Sequence, residues 1–222
     1  MELAPGVYSF PVTVSYPNRT LTINPAGVET PDGGLVLLDA GFPDTVDLLE
    51  DALAEEGFDY DDVEYLLLTH QDGDHAGGAV EVAERADAPV FAHRDDAPAI
   101  EGAADPIKGD PSDRYDPVPV DVQVVDGVEI RTAAGPLQVV ATPGHTPGHI
   151  SCYLPDAGVL LAADASVAED GELLGPNERF TPDMERALDS LDTLADLAFT
   201  DVLCFHGGHA EAGPEDVAAL AE

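Results

Sequence analysis

The amino-acid sequence predicts an α/β protein of the α+β type, arranged as a four-layer αββα sandwich. Two observations predict this fold. The chain has 222 residues, of which 44% are hydrophobic, and this is enough for a large core. Each half of the chain also places strands first, followed by a helix, a strand and a helix. Two such halves bury their remaining apolar faces by packing sheet against sheet, with the helices outside. We expect residues 1–222 to form one domain.

The first half begins with strands and continues as a β-α-β unit. Residues 6–24 alternate apolar and polar side chains and are interrupted by Pro17-Asn18-Arg19, which is typical of a β-hairpin. Leu35 to Leu38 form an apolar run typical of a buried strand. Pro43 is expected to open the next helix, because proline is tolerated at the first helical position. Tyr65 to Leu68 form the strand that completes the unit.

The middle of the chain supplies a second helix and most of the second sheet. We predict a helix over residues 77–86 and a strand over 90–92. Residues 95–119 are rich in Pro, Asp and Gly and are expected to run over the surface, with a short helical piece at 97–101. Five further strands are predicted over residues 122–125, 128–131, 137–141, 150–154 and 159–163.

The last quarter is expected to contain a loop or lid and two helices. Residues 166–180 show little periodicity and carry Gly and Pro, which favours a loop. Thr181 can cap the following helix, with Pro182 in the first turn. A strand over residues 202–205 and a C-terminal helix opened by Pro214 complete the chain.

The charge is strongly negative. Forty-five acidic residues face eight basic ones, giving −37, and Lys108 is the only lysine. The carboxylates are spread along the chain, as in proteins of salt-loving archaea, so the composition resembles that of a halophilic archaeal protein. At ~1 M salt the Debye length is ~3 Å, which screens the self-repulsion of such a chain. We therefore expect the protein to need molar salt.

The same composition excludes some classes of partner. Eight scattered basic residues do not form the basic face that a nucleic-acid-binding protein needs. No apolar run approaches the ~18 residues needed to cross a bilayer, and the N-terminus has no apolar leader, so we expect a soluble, cytoplasmic protein with a small-molecule substrate. The sequence leaves the oligomeric state open.

The loop after the Tyr65–Leu68 strand carries four potential metal ligands. It runs from Thr69 to His75 and is followed by Ala76-Gly77-Gly78. A strand that ends in a short loop presents several side chains from one fixed point, and glycines let the backbone turn tightly. The potential ligands are His70, Asp72, Asp74 and His75.

Three further segments have the same character, each a strand end followed by a potential ligand. They run from Ala141 to His149, from Leu160 to Asp164 and from Cys204 to His209, and they contain Pro143-Gly144-His145, Asp164 and His206-Gly207-Gly208-His209. Six of the seven histidines lie in these segments or in the central loop. Such clustering favours a metal site over scattered polar residues.

In this order, Asp39, the loop of residues 70–75, His145, Asp164 and His206 resemble the five motifs of the metallo-β-lactamase fold metallo-hydrolases. The resemblance covers essentially the whole chain. It implies a site for two divalent metal ions bridged by Asp164, with Asp39 behind the ligands, orienting them rather than binding. The implied ligands are His70, Asp72 and His145 for the first metal and Asp74, His75 and His206 for the second.

The central loop departs from the commonest family pattern. It has the form His-x-Asp-x-Asp-His, with Asp72 where a second histidine usually stands. A carboxylate can still coordinate, and it makes the site one unit less positive. Because oxygen ligands favour harder ions, we expect zinc, with iron or manganese more favoured here than in an ordinary relative.

The resemblance also implies a mechanism, in which two metals ~3.5–4 Å apart hold a hydroxide and polarise the scissile bond. Asp74 is the expected proton acceptor or donor, and Asp164 is the second catalytic carboxylate. His149 and His209 follow ligand-bearing turns and could contact substrate or stand behind the ligands. Arg179 could bind a substrate carboxylate.

The leading functional hypothesis is a dinuclear hydrolase acting on a small ester, thioester or lactone, similar to glyoxalase II or to a lactonase. Two alternatives stay open. The acidic residue in the central loop is similar to that of flavodiiron proteins, which suggests a di-iron redox protein that would need a flavin donor. The third hypothesis is a non-catalytic metal-binding protein.

Overall fold

The computed structural model describes residues 1–16 and 19–221, so that Pro17 and Asn18 of the expected hairpin turn lie outside it. The strands of the described residues are β1 (Glu2–Ala4), β2 (Val7–Ser9), β3 (Val12–Tyr16), β4 (Arg19–Ile23), β5 (Ala26–Glu29), β6 (Leu35–Leu38), β7 (Val63–Leu68), β8 (Val90–His93), β9 (Val122–Val124), β10 (Glu129–Thr132), β11 (Gly135–Ala141), β12 (Ile150–Leu154), β13 (Val159–Ala163), β14 (Val167–Glu169), β15 (Glu172–Leu174), β16 (Asp201–Cys204) and β17 (Gly208–Glu211). The helices are α1 (Val46–Glu55), α2 (Ala79–Ala86), α3 (Ala97–Ile100), α4 (Met184–Ala195) and α5 (Pro214–Leu220).

Two sheets form the centre of the protein. The first has the strand order β1-β2-β5-β6-β7-β8-β9 and the second β10-β11-β12-β13-β16-β17. Strands β6 to β9 are parallel neighbours, as are β13 and β16. Hairpins β3-β4 and β14-β15 stand apart as two-stranded sheets.

Three layers of apolar contacts confirm the predicted αββα sandwich. Leu37 and Leu66 of the first sheet pack with Leu49 of α1. The opposite faces of β6 and β7 pack on the second sheet, where Val36 and Leu67 share a cluster with residues such as Cys152 of β12. A third cluster joins the outer face of the second sheet to α4 and α5 and contains Leu160, Leu191 and Val217. Alternate side chains of one strand therefore serve two different layers.

Three helices begin later than the sequence suggests, and the smallest shift is that of α2, which begins at Ala79 rather than at Gly77. Helix α1 begins at Val46 rather than at Pro43, because the backbone before it pairs with the end of the central loop: the Gly78 N–H donates to the Gly41 carbonyl at 2.9 Å. Helix α4 begins at Met184, and its cap is Asp183, whose side chain accepts from the Arg186 N–H. Thr181 is not the cap, because its hydroxyl lies 3.4 Å from Nδ1 of His145.

Several short strands are also absent from the sequence interpretation. The segment 166–180, expected to be a loop, contains the hairpin β14-β15. Strand β17 carries His209, pairs with β16 and closes one edge of the second sheet. Strands of three or four residues are too short to show an alternating pattern. None of the helices in the described part of the chain is long and apolar enough to cross a membrane.

Candidate metal centre

The predicted ligand segments converge at one edge of the two sheets. Asp39 follows β6, the 69–75 loop follows β7, Asp164 follows β13 and His206 follows β16, while His145 lies in the turn between β11 and β12. Ligands at the carboxyl ends of facing strands meet even when they are far apart in the chain. The local backbone is unusual here, since Asp39 and Ala163 have φ angles of 68° and 50°, in the left-handed region.

Six of the side chains form two groups of three that could each hold a metal ion. Within each group the ligand atoms lie within 4.8 Å of one another; the groups are His70, His145 and Asp164, and Asp74, His75 and His206. Nε2 of His70, Nε2 of His75 and Oδ1 of Asp164 are buried and have no hydrogen-bond partner among the described residues. Unpaired buried nitrogens and oxygens that converge in this way fit a divalent transition-metal ion.

Asp164 lies between the two groups. Its Oδ2 is 3.3 Å from Nε2 of His145 in the first group and 3.5 Å from Nε2 of His206 in the second. Its Oδ1 is 3.3 Å from Nε2 of His75. One carboxylate thus faces ligands of both groups, which is the position that a bridging ligand requires.

Asp39 fixes the orientation of the central loop from behind. Its Oδ2 accepts from Nδ1 of His75 at 2.8 Å and from the hydroxyl of Thr69 at 2.7 Å, and its Oδ1 accepts from the Thr69 N–H. The Thr69 hydroxyl also lies 3.1 Å from Nδ1 of His70. When both Nδ1 atoms donate to these oxygens, the two Nε2 lone pairs point at the centre.

His149 is fully buried and supports Asp164. Its Nε2 accepts from the Asp164 N–H at 3.1 Å, and its Nδ1 lies 2.8 Å from the Thr142 hydroxyl. Burial holds the pKa of His149 well below its usual value, and the neighbouring imidazoles of His70 and His145 lower it further. A neutral His149 with both nitrogens engaged positions the backbone of Asp164 and has no nitrogen left for a substrate.

The electrostatics of the site favour ionised carboxylates. Burial by itself would raise the pKa of Asp164, but the charges of His75 and His206 hold it well below its usual value. Burial would lower the pKa of His206, but a hydrogen bond to Asp74 at 3.1 Å and the charge of Asp164 raise it. The centre is therefore a set of imidazole–carboxylate pairs that a cation can bind in place of protons.

Asp72 belongs to the same cluster and has an unexpected partner. Its Oδ2 lies 3.0 Å from Nε2 of His145 and 3.5 Å from Nε2 of His70. Lys108 forms an ion pair with the same oxygen. Burial by itself would raise the pKa of Asp72, but the nearby imidazoles of His145 and His70 and the charge of Lys108 hold it well below its usual value.

Asp96 ties the two ligand-bearing loops together, and sequence reasoning did not find it. Its carboxylate is fully buried and accepts four hydrogen bonds, from the Gln71 N–H, Gln71 Nε2, the Thr146 hydroxyl and the Gly148 N–H. Gln71 lies in the central loop, and Thr146 and Gly148 follow His145 in the second loop. The only local signal was an aspartate shortly after the end of a predicted strand.

A protein-family model of the metallo-beta-lactamase superfamily matches residues 24–206, which include every ligand position described above. The chain belongs to this superfamily. The probable metallo-hydrolase YflN of Bacillus subtilis is 32% identical over 200 residues, covering 78% of this chain and 75% of that protein. A metallo-beta-lactamase family protein from Thermus thermophilus has a similar crystal structure, with a TM-score of 0.76 and 30% identity over 99% of this chain and 78% of that one.

The metallo-beta-lactamase superfamily relatives also include hydroxyacylglutathione hydrolases. That of Methylococcus capsulatus is 31% identical over 143 residues, covering 64% of this chain and 47% of that protein. That of Rhizobium meliloti is 28% identical over 159 residues, covering 72% of this chain and 52% of that protein. The chain thus spans about half the length of these hydrolases.

A cavity of about 470 Å³ opens on the metal centre of this superfamily member. Asp72, Asp74, His145, Asp164 and His206 form its polar floor, and its walls are Arg19, Leu21, Phe42, Val167, Asn177 and Phe180. A second cavity of about 700 Å³ reaches Asp72 and Asp74 from the side of Lys108 and Tyr115. The first volume is in the range of small-molecule sites.

Two of the predicted site residues, His209 and Arg179, have their contacts outside the two ligand groups. His209 is on β17 and pairs with Asp201, with 2.7 Å between Nε2 and Oδ1. The guanidinium of Arg179 lies 5.2 Å from the ring centre of Phe180. Its neighbours Asn177 and Phe180 line the cavity, and so does Arg19, a basic residue that sequence reasoning did not single out.

Proposed function

We propose that this protein is a metal-dependent hydrolase that uses two divalent metal ions to cleave a small ester or thioester. The observation that carries the proposal is the convergence of two ligand groups on the shared carboxylate of Asp164, at the floor of a cavity. Membership in a superfamily with metallo-hydrolase relatives supports it.

The first ion would be held by His70, Asp72, His145 and Asp164, and the second by Asp74, His75, His206 and Asp164. Bound divalent ions would polarise a carbonyl group and lower the pKa of a water molecule. The donor set of imidazoles and carboxylates accepts zinc, iron or manganese, and Asp72 shifts the preference toward the harder ions.

The side chains of the chain itself would position substrate and move a proton. Asp74 lines both cavities and is about one quarter exposed, so its carboxylate can take a proton from the attacking water and deliver it to the leaving group. Leu21, Phe42 and Phe180 would exclude water from one side of the scissile bond.

The choice of ester or thioester rests on relatives and on the size of the cavity. The hydroxyacylglutathione hydrolases are named for the cleavage of an acyl-glutathione, which is a thioester. A cavity of about 470 Å³ with an apolar wall can take the acyl part of such a molecule.

We also propose that residues 1–222 act as one domain in a cytoplasm of high salt.

The test starts with metal content, measured by elemental mass spectrometry on protein purified without chelator in molar KCl. We expect close to two transition-metal equivalents per chain. The loaded protein is then assayed with an acyl-glutathione thioester, an aliphatic lactone, a p-nitrophenyl ester and a β-lactam, and we expect the thioester or the ester to be cleaved.

The variants Asp164→Asn and His145→Ala should lose at least 100-fold in kcat/KM. The matched control is Asp192→Asn, an exposed carboxylate of α4, which should keep full activity. Fewer than one bound equivalent after reloading, or unchanged activity in Asp164→Asn, would contradict the proposal.

A further inference from the structure

Lys108, the only lysine of the chain, contacts Asp72 and His145, two of the side chains assigned above to the first ion. Its ammonium nitrogen pairs with Oδ2 of Asp72, lies 2.7 Å from Nε2 of His145 and donates to the carbonyl of Phe180 at 3.1 Å. The side chain is 19% exposed. One positive charge therefore lies against two of the four side chains that would hold the first ion, in a protein with a net charge of −37.

The contact with His145 and the binding of a metal ion exclude each other. A neutral imidazole has one nitrogen lone pair, and because an ammonium can only donate, the lone pair of His145 lies on Nε2, 2.7 Å from the nitrogen of Lys108. An ammonium that donates to this nitrogen occupies the direction from which an ion would be bound. The positive charge of Lys108 would also repel a dication held by Asp72.

The backbone around Lys108 is anchored, so the side chain alone can move away. The N–H of the preceding Ile107 donates to Oε1 of Gln71 at 2.9 Å, and Gln71 is held in turn by Asp96. A lysine side chain has a flexible four-carbon stem, so the amine of Lys108 can turn toward the second cavity, which the residue already lines. Among the described residues, no hydrogen bond or ion pair joins Lys108 to the other ligand group, Asp74, His75 and His206.

We propose that Lys108 is an internal competitor of the first metal ion, so that the two metal positions of this protein differ in affinity. The group of Asp74, His75 and His206 fills first, and the second equivalent binds only when Lys108 leaves Asp72 and His145. Its departure also breaks the hydrogen bond to Phe180, a wall residue of both cavities, and so couples full metal loading to the shape of the substrate site. This inference rests on the metal centre of the proposed function.

The affinity test is a zinc titration of the whole protein against a chromophoric chelator in molar KCl. In the wild type we expect the second equivalent to bind at least tenfold more weakly than the first. Lys108→Met should tighten the second equivalent at least tenfold and leave the first unchanged, whereas Lys108→Arg should keep the wild-type difference. The matched control is Arg94→Met, which removes an exposed positive charge that pairs with Asp95 and should change neither affinity.

A second measurement needs no variant. Because Lys108 is the only lysine, acetylation of its amine can be followed during the same titration by mass spectrometry of the peptide that contains it, which separates it from the Met1 amine. We expect slow acetylation up to one zinc equivalent and at least fivefold faster acetylation as the second binds, since the amine then turns toward solvent.

The two proposals fail in different ways. The role of Lys108 would be overturned if wild type and Lys108→Met bound the second zinc equivalent with equal affinity, or if the acetylation rate did not change as that equivalent bound. Either result would leave the proposal of a metal-dependent hydrolase intact. Absence of zinc binding in every variant would overturn the proposed function itself.

Discussion

Replacement of Asp96 by asparagine tests how the two ligand loops are held together. Asparagine keeps one acceptor oxygen and presents an NH2 group in place of the other. If NH2 replaces Oδ1, it faces two donors, Gln71 Nε2 and the Gly148 N–H. If it replaces Oδ2, the Thr146 hydroxyl can reverse and accept, but the Gln71 N–H stays unpaired. Every orientation therefore leaves a buried donor without an acceptor.

The structure gives the size of the effect. An unpaired buried donor costs about 1–3 kcal/mol, and the remaining bonds lose the strength of a charged acceptor, so we expect Asp96→Asn to lower the free energy of unfolding by about 2–4 kcal/mol. The two loops would also lose their common anchor. Loss of such supporting bonds typically weakens metal affinity by about 10–100-fold.

The assay is equilibrium unfolding in urea at constant molar KCl, because guanidinium chloride would change the ionic strength. Zinc affinity is measured on the same preparations. Asp95→Asn is the control, since Asp95 is a neighbouring carboxylate about half exposed at the surface. If Asp96→Asn matched Asp95→Asn in both the unfolding midpoint and zinc affinity, the proposed anchoring would be wrong.

Three further predictions follow from other parts of the structure. Asp39→Asn should weaken zinc binding about 10–100-fold, because His75 loses the acceptor that orients it; an affinity equal to wild type in the titration would count against this. The pKa of His149 is depressed, so below pH 6.5 the unfolded chain binds a proton that the folded chain does not. The free energy of unfolding should therefore fall by about 1.4 kcal/mol for each pH unit by which the pH is lowered. His149→Gln should show a flatter pH dependence in urea titrations at equal zinc loading. Dialysis from molar KCl to 50 mM should unfold the protein or lower its melting temperature by circular dichroism, because 45 carboxylates are then unscreened; an unchanged melting temperature would refute the salt requirement.

Much of the fold could be predicted because its strands are continuous apolar runs. Strands such as β6 and β13 are buried on both faces, so they appear in the sequence without reference to any partner. The edge strands β1 and β17 have no such pattern, because one side of each is open and their lengths are three and four residues. Helix starts were displaced where the backbone before the helix had a tertiary partner, as Gly41 has in Gly78.

The candidate site likewise contains some residues that the sequence predicts and others that it does not. The convergence of side chains such as His70, Asp164 and His206 could be predicted because each lies just after a strand, and strand ends in a layered fold meet at one edge. Asp96 and Lys108 carry no local pattern, since each acts through partners that are distant in sequence. The hydrogen bonds of Asp96 reach 25 to 52 positions away, and the contact between Lys108 and His145 spans 37.

The sequence by itself determined the layered fold, the family and the order of the ligand segments, because these depend on apolar periodicity and on residues that follow one another in the chain. Only the tertiary structure decided that Asp96 joins the two ligand-bearing loops, that His209 turns to Asp201, and that the single lysine contacts Asp72. The physical reason is that these contacts depend on how loops from different strands are packed together. Such packing is set by the three-dimensional arrangement of the sheets and leaves no spacing in the chain from which it can be inferred.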